Sequence, residues 1–132
     1  MNLNILHLNI ERRAHLGQVR KLLNDKNPDV VCLIEVMEEE AKELSSFLNY
    51  EYAFSPRLFL EESGIKQKEG IAIFSKYKVL EINRYNYGEN IGELPVFSPD
   101  TVKEKDNKRP DKRFLENRDL LNLLIEANGK KI

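Results

Sequence analysis

The sequence predicts an α/β fold. Three observations carry that prediction: a strand-like segment opens the chain, apolar residues then recur at helical spacing, and a second, almost wholly apolar strand-like run begins at Val30. Strand, helix and strand in this compass form a βαβ unit, and a crossover of that kind makes its two strands parallel. Their C-terminal ends, marked by Asn9 and Glu35, then share the sheet edge where α/β folds place ligands.

The elements follow in order. Leu3, Ile5 and His7 alternate with Asn4, Leu6 and Leu8 ahead of Asn9 and Ile10, a pattern apolar enough on both faces for a strand inside a sheet. Leu16, Val19, Leu22 and Leu23 repeat at helical spacing with Arg20, Lys21 and Asn24 on the other side, predicting a helix over 14–25 that Asn27 and Pro28 end. Residues 30–36 are a short β-branched run of the kind found in buried strands. Met37, Ala41, Leu44, Phe47 and Leu48 mark a second amphipathic helix. Glu38, Glu39, Glu40 and Glu43 favour its N-terminal part through the macrodipole and are expected to be solvated.

Further along, 51–54 reads as a strand, 55–68 as a polar loop with partial structure, 70–75 as a buried strand and 79–87 as a strand with period-two character. Residues 100–113 hold six basic and four acidic residues with Pro110 and almost nothing apolar, which predicts a mobile, solvated insertion. Alternating Leu121, Leu123, Ile125 and Ala127 before Asn128-Gly129 predict a strand entering a type I′ hairpin turn, which needs positive φ at both central residues. Only Lys130, Lys131 and Ile132 follow, so the returning strand is expected to be incomplete and the 132 residues to be the N-terminal part of one larger domain.

Composition narrows the function. A hydrophobic share of 41% suffices for one core, and 21 Lys and Arg against 22 Asp and Glu leave a net charge of -1, without the global basic field of a dedicated duplex binder. The single Cys32 excludes an internal disulfide and, with no cation beside it in sequence, reads as a small buried hydrophobe. No apolar stretch approaches the roughly 20 residues that span a bilayer, and the N-terminus lacks a signal-peptide pattern, so a cytoplasmic location is expected.

Glu35 is the residue that stands out. A carboxylate directly after 30–34 is costly to bury unless it is paired, hydrogen-bonded or bound to a metal. Strand alternation places it on the face of Val31 and Leu33, and Asn9 on the face of Ile5 and His7, and the two are expected to converge at the sheet edge. A hard cation such as Mg²⁺ takes carboxylates, waters and substrate phosphate, so Glu35 is a candidate ligand and the Asn9 amide a candidate for orienting a phosphate oxygen. A plain salt bridge from Glu35 to a Lys or Arg fits these residues equally well.

Other residues carry weaker signals. His7 reads as a core histidine and His15 as solvated. Ser75 lacks a Gly-x-Ser-x-Gly context. Arg12 and Arg13 lie within reach of a substrate phosphate, with solvent exposure as the default. Tyr50, Tyr52, Tyr85 and Tyr87 read as packing residues more readily than as base-stacking ones.

Leu6-His7-Leu8-Asn9-Ile10, then Asn27-Pro28-Asp29 through Ile34-Glu35-Val36, then Gly70-Ile71-Ala72-Ile73-Phe74-Ser75-Lys76-Tyr77, resemble in order and spacing the first three motifs of the endonuclease/exonuclease/phosphatase superfamily. The resemblance covers most of the chain, and residues 118–131 resemble the strand and turn that lead to a later Asn-Thr-His segment. It implies a four-layer αββα sandwich, with helices on the outer face of a mixed sheet. It also implies hydrolysis of phosphodiesters or phosphomonoesters by a Mg²⁺- or Mn²⁺-dependent enzyme, with Glu35 as metal ligand, Asn9 as its companion and a phosphate ester, nucleic acid included, as substrate. Leu8 and Ile34 depart from the common Trp and Gln of these motifs. The later Asp-x-Asn and Asp-His pairs are expected beyond Ile132, so the parent would be active and this chain would not. Two alternatives are a module that binds itself or a partner through an uncovered sheet face, and a free-standing α/β domain that shares only the βαβ pattern.

Overall fold

Two β-sheets face each other, and two helices cover the outer side of the first. In the computed structural model, which describes residues 2–86, 94–98 and 119–132, the order is β1 (Ile5–Asn9), α1 (Leu16–Lys26), β2 (Val30–Met37), α2 (Glu38–Leu48), β3 (Glu51–Glu62), β4 (Ile65–Ser75), β5 (Lys78–Asn86), β6 (Val96–Phe97), β7 (Asp119–Ala127) and β8 (Lys130–Lys131). The first sheet runs β1-β2-β4-β3-β6 and the second β5-β7-β8. β1 pairs in parallel with β2, while β4 is antiparallel to both β2 and β3, so the first sheet is mixed as expected. Helix, sheet and sheet are thus the layers formed by the described residues. The 100–113 insertion and Tyr87 lie outside them.

The helical layer forms because α1 and α2 each offer one apolar face. Val19 and Leu23 from α1 and Ala41 and Leu44 from α2 pack onto Val31, Leu33, Val36, Ala72 and Phe74 of the sheet. Burying a side chain the size of Leu or Phe stabilises by about 1.5–3 kcal/mol, so this layer is the main hydrophobic contribution. Asn27 ends α1 in the left-handed conformation at φ 42°, its N–H donating to the Leu23 carbonyl at 2.9 Å, and Pro28 prevents continuation. At the start of α2 the solvation expected for the acidic run fails at Glu40. Its side chain is buried, accepting from the Met37 N–H at 3.2 Å and from Arg13 Nε at 2.6 Å.

The opposite face of the first sheet receives β7, which lies against β3 and β4. Val30, Cys32 and Ile73 there share a cavity of about 250 Å³ with Leu121, Leu123 and Ile125. β1 sits at the far edge of the sheet. Its Leu6 and Leu8 reach the helical core, but Ile5, His7 and Asn9 on the other face are exposed, so His7 is not the core histidine expected.

The 55–68 loop expectation is also corrected. β3 and β4 continue as one long hairpin whose two turn residues, Ser63 at φ 51° and Gly64 at φ 76°, have the two positive φ values of a type I′ turn. Charged Glu61, Glu62, Lys66 and Lys68 made the segment look loop-like, although Leu58 and Leu60 alternate inward to a small core with Met37 and Phe97. The Asn128-Gly129 turn forms as expected, with φ 52° and 74°. Past it, Ile125 and Ile132 exchange both backbone hydrogen bonds at 2.9 Å.

Candidate functional site

The site is built where the first sheet becomes irregular. β2 pairs regularly with β4 up to Ile34 opposite Ile71 and resumes at Val36 opposite Gly70, leaving Glu35 as a bulge at φ 57°. β3 does the same one step further on. It pairs through Pro56 opposite Gly70 and resumes at Leu58 opposite Glu69, leaving Arg57 as the extra residue. Two bulges therefore flank Gly70, and the crowding there is severe. A Cβ on Gly70 would lie 2.0 Å from the Ser55 carbonyl oxygen and 2.9 Å from the Pro56 Cα. Only glycine lets the three backbones come this close.

The bulge overturns the face assigned to Glu35 by alternation. Val36 joins Val31 and Leu33 in the helical core, and Glu35 is the residue left out of the ladder, with its side chain about one-quarter exposed. β1 approaches the same place. Asn9 stands opposite Ile34 in the parallel register, and the Ile10 N–H donates to the Ile34 carbonyl at 3.2 Å. The chain then turns through Glu11 at φ 47° and Arg12 at φ 62°. Asn9 Oδ1 accepts the Glu11 N–H at 3.0 Å, and the Arg12 N–H donates to the Glu35 carbonyl at 2.8 Å. Asn9 and Glu35 are thus brought to one edge, linked through the turn between them.

Left-handed backbone at non-glycine residues costs about 1–2 kcal/mol each. Asn27 and Asn49 adopt it at helix C-caps, and Ser63 and Asn128 at hairpin turns, where it closes the structure. Glu11, Arg12 and Glu35 close no helix and no hairpin. Strain of this kind gathers where a fold positions a functional group.

A buried ionic cluster that no spacing along the chain announces supports the edge. Glu69 is fully buried, accepting from Arg12 Nε through Oε2 and from Arg57 Nη2 through Oε1, both at 2.5 Å. Arg12 also lies over the Phe97 ring, 5.5 Å from its centroid. Arg13 donates to Glu40 and to Gln67 Oε1, the latter at 2.7 Å. Arg12, expected to be solvent-exposed, is partly buried and tied to β4, whereas Arg13 is exposed as expected while its guanidinium reaches α2 and β4.

Glu35 itself is held differently. Its nearest cation is Arg57, with Nη2 3.8 Å from Oε1, beyond hydrogen-bonding distance, and no hydrogen bond to its carboxylate forms among the described residues. That leaves an anionic oxygen pair at an accessible edge, which suits a hard divalent cation. Among the described residues no three His, Cys, Asp or Glu side chains gather as a metal cluster, so a cation here would rely on Glu35 together with water and substrate oxygens. Asn9 is exposed and its Oδ1 is engaged by the Glu11 N–H, so its amide N–H₂ is the donor suited to a phosphate oxygen, and an N–H₂ is not a metal ligand.

The weaker candidates find structural uses. Burial raises the Cys32 thiol above its ordinary value, opposing thiolate formation. Ser75 is buried and closes a turn, donating to the Tyr77 carbonyl at 2.8 Å and accepting its N–H at 3.0 Å. Tyr50 donates to the Pro28 carbonyl, and Tyr52 stacks on Phe74.

A sheet pair with helices on its outer face and a bulge-borne carboxylate at its strand ends defines an α/β sandwich protein with a polar site at one sheet edge. Residues 1–130 match the model of the Endonuclease/Exonuclease/phosphatase family, and the chain belongs to that phosphoesterase-type family. No curated protein matches it by sequence. Among solved structures it resembles an endonuclease/exonuclease/phosphatase family protein from Leptotrichia buccalis (TM-score 0.65, 16% identity, 98% of this chain and 52% of that one). It also resembles an endonuclease/exonuclease/phosphatase from Beutenbergia cavernae (TM-score 0.64, 13% identity, 98% and 36%). A third likeness is to ANGEL2, a 2′,3′-cyclic phosphatase (TM-score 0.56, 18% identity, 93% and 36%). The chain spans about half or less of the length of these structures.

Proposed function

We propose that this chain contributes the cation-binding edge of a metal-dependent phosphoesterase, with Glu35 as a Mg²⁺ or Mn²⁺ ligand and Asn9 donating to a phosphate oxygen. The observation that carries this reading is the Glu35 carboxylate: it is set out of the ladder on a left-handed bulge and free of hydrogen bonds among the described residues. When bound, the cation would polarise the phosphate ester and lower the pKa of its water. Asn9 and the Arg12 turn would orient the ester beside it. Family membership and the extent of the solved structures support reading residues 1–132 as the N-terminal part of a single such domain. The ester would be hydrolysed by the whole domain and hardly at all by this part.

The substrate class is a phosphodiester or phosphomonoester. With a net charge of -1, a nucleic-acid substrate would be held by local contacts and not by a broad basic field. The test is Mn²⁺ binding followed by electron paramagnetic resonance. Wild type should bind one ion, and Glu35→Gln should weaken that binding at least ~10-fold. Equal affinity in the two proteins would remove the metal role.

The uncovered face of β1 favours a second reading, self-association. Ile5 is 58% exposed and borders the apolar cavity between the sheets. Sedimentation velocity would show a concentration-dependent dimer that Ile5→Lys abolishes, and a monomer at all concentrations would dismiss this reading.

A further inference from the structure

Arg12 sits at φ 62°, a conformation that suits glycine and not arginine, and it closes no helix or hairpin. Its side chain, and not its backbone preference, accounts for the position. Nε donates to the buried Glu69 Oε2 at 2.5 Å, and the guanidinium lies over the Phe97 ring, 5.5 Å from its centroid. These two contacts fix the group in place. A guanidinium carries donors on Nε, Nη1 and Nη2, and Nε is the one bonded here. Among the described residues none other than Glu69 accepts from Arg12, whose side chain is 32% exposed. Arg13 differs, since its donors reach both Glu40 and Gln67.

The exposed part of Arg12 borders a cleft of about 260 Å³ that Glu11, Arg13, Met37, Glu62 and Gln67 also line, and neither Glu35 nor Asn9 belongs to the described wall. Between Glu35 and Arg12 the charges alternate. Glu35 faces Arg57 at 3.8 Å, Arg57 holds Glu69 Oε1, and Glu69 Oε2 holds Arg12. Arg12 is therefore a cation one place beyond the Glu35 edge, beside an opening of its own. We infer that Arg12 binds a second phosphate of the substrate, next to the one a cation on Glu35 would hold, so that the site selects esters carrying two phosphate groups. This rests on the reading of Glu35 as a cation ligand. A guanidinium edge matches two oxygens of one phosphate, which an ammonium cannot do. The acidic residues of the cleft are weaker opponents: Glu11 faces His15 at 3.5 Å, and Glu62 is exposed, where solvent screens it.

The experiment is calorimetric titration of the full chain, in Mn²⁺, with a thymidine dinucleotide that does or does not carry a 5′-phosphate. Wild type should prefer the phosphorylated compound at least ~10-fold, as a charge-assisted contact implies. Arg12→Lys keeps the charge and a donor for Glu69 but loses the fork, so its ratio should fall to within about threefold of unity. A preference due to charge alone would survive that substitution and overturn the inference. Glu62→Gln removes a like charge from the cleft and covers the case in which Arg12→Lys does not fold. It should raise the ratio about twofold, and a ratio no higher than that of wild type would count against a phosphate there. Thymidine 3′,5′-bisphosphate against the 5′-monophosphate separates the sources: a matching ratio admits small bisphosphates, and a ratio confined to the dinucleotide assigns a nucleic-acid strand, both keeping Arg12 in its role. An unchanged ratio in Arg12→Lys, with Mn²⁺ binding still weakened in Glu35→Gln, would remove only the role given to Arg12. Unchanged Mn²⁺ affinity in Glu35→Gln would remove both proposals, because the first phosphate would have no cation to hold it.

Discussion

Strand β2 has a carboxylate at each end, and the two are treated in opposite ways. Asp29, just before the strand, is fully engaged: Oδ2 accepts the Asn4 N–H at 3.0 Å and Oδ1 accepts the Tyr77 hydroxyl at 3.3 Å. Its backbone bonds to Asn4 at 2.8 Å and to Lys76 at 3.0 Å, so one residue gathers the chain before β1 and the chain after β4. Glu35, near the other end, sits on left-handed backbone with no hydrogen bond to its carboxylate among the described residues. Asp29 immediately precedes this buried strand and Glu35 interrupts its ladder near the far end, beside the same parallel neighbour. A carboxylate that closes the fold is held by several donors, whereas one presented on strained backbone without donors has its use elsewhere. That contrast underlies the metal role proposed for Glu35.

The largest effect should come from removing the device that creates the contrast. Gly70→Ala places a methyl group 2.0 Å from the Ser55 carbonyl oxygen, and backbone cannot rotate aside as a side chain would. Overpacking typically costs about 1–3 kcal/mol, and a clash with backbone belongs at the upper end. Chemical denaturation should show that loss. A variant within about 0.5 kcal/mol of wild type would mean that the double bulge does not need glycine.

A smaller effect comes from exchanging charge for amide at either end of β2. Asp29→Asn should lower stability by about 1 kcal/mol through its weakened hydrogen bonds and leave Mn²⁺ affinity alone. Glu35→Gln should do the reverse, keeping stability within about 1 kcal/mol because its ion pair with Arg57 is open at 3.8 Å, and losing the ion. Unfolding curves and Mn²⁺ titrations on both variants decide it. Equal behaviour at the two ends would erase the distinction.

How much of this could be read in the sequence depended on how local each signal was. The βαβ unit and both helices were legible because apolar spacing acts within one element, and Asn128-Gly129 announced its turn because both residues tolerate positive φ. Ser63-Gly64 gave a similar signal but was masked by the charged residues around it, so the β3–β4 hairpin was missed. Glu35 was legible as a charge after an apolar run, but its face was not. A bulge there depends on Gly70 across the ladder and on the Arg12 N–H, neither of which lies within the strand. The Arg12–Glu69–Arg57 cluster joins residues 57 and 12 positions apart. Only the register of three strands and a turn brings them together, so spacing in sequence could not predict it.

The smallest effect is the one that most cleanly isolates Asp29. Burial first, then the negative charge of Asp29, and then its hydrogen bond push the Tyr77 phenol above its ordinary value of 10.0. Burial, with Asp29 and Tyr77 adding to it, likewise raises Tyr50. A phenol whose value is raised by folding favours the native state below its unfolded value, and that contribution is lost as pH rises through the folded value. Stability should therefore decline from about pH 10 upward in wild type. In Asp29→Asn the charge is gone while burial remains, so Tyr77 should titrate nearer 10.0 and the alkaline decline attributable to it should be shallower. Tyrosine ring carbon shifts followed by NMR through the alkaline range resolve Tyr77 from the other tyrosines. Glu35→Gln, at the far end of β2, should leave that titration where it was. If Tyr77 titrates identically in wild type and Asp29→Asn, burial alone sets its value and Asp29 holds the strand start by hydrogen bonding without a measurable charge effect.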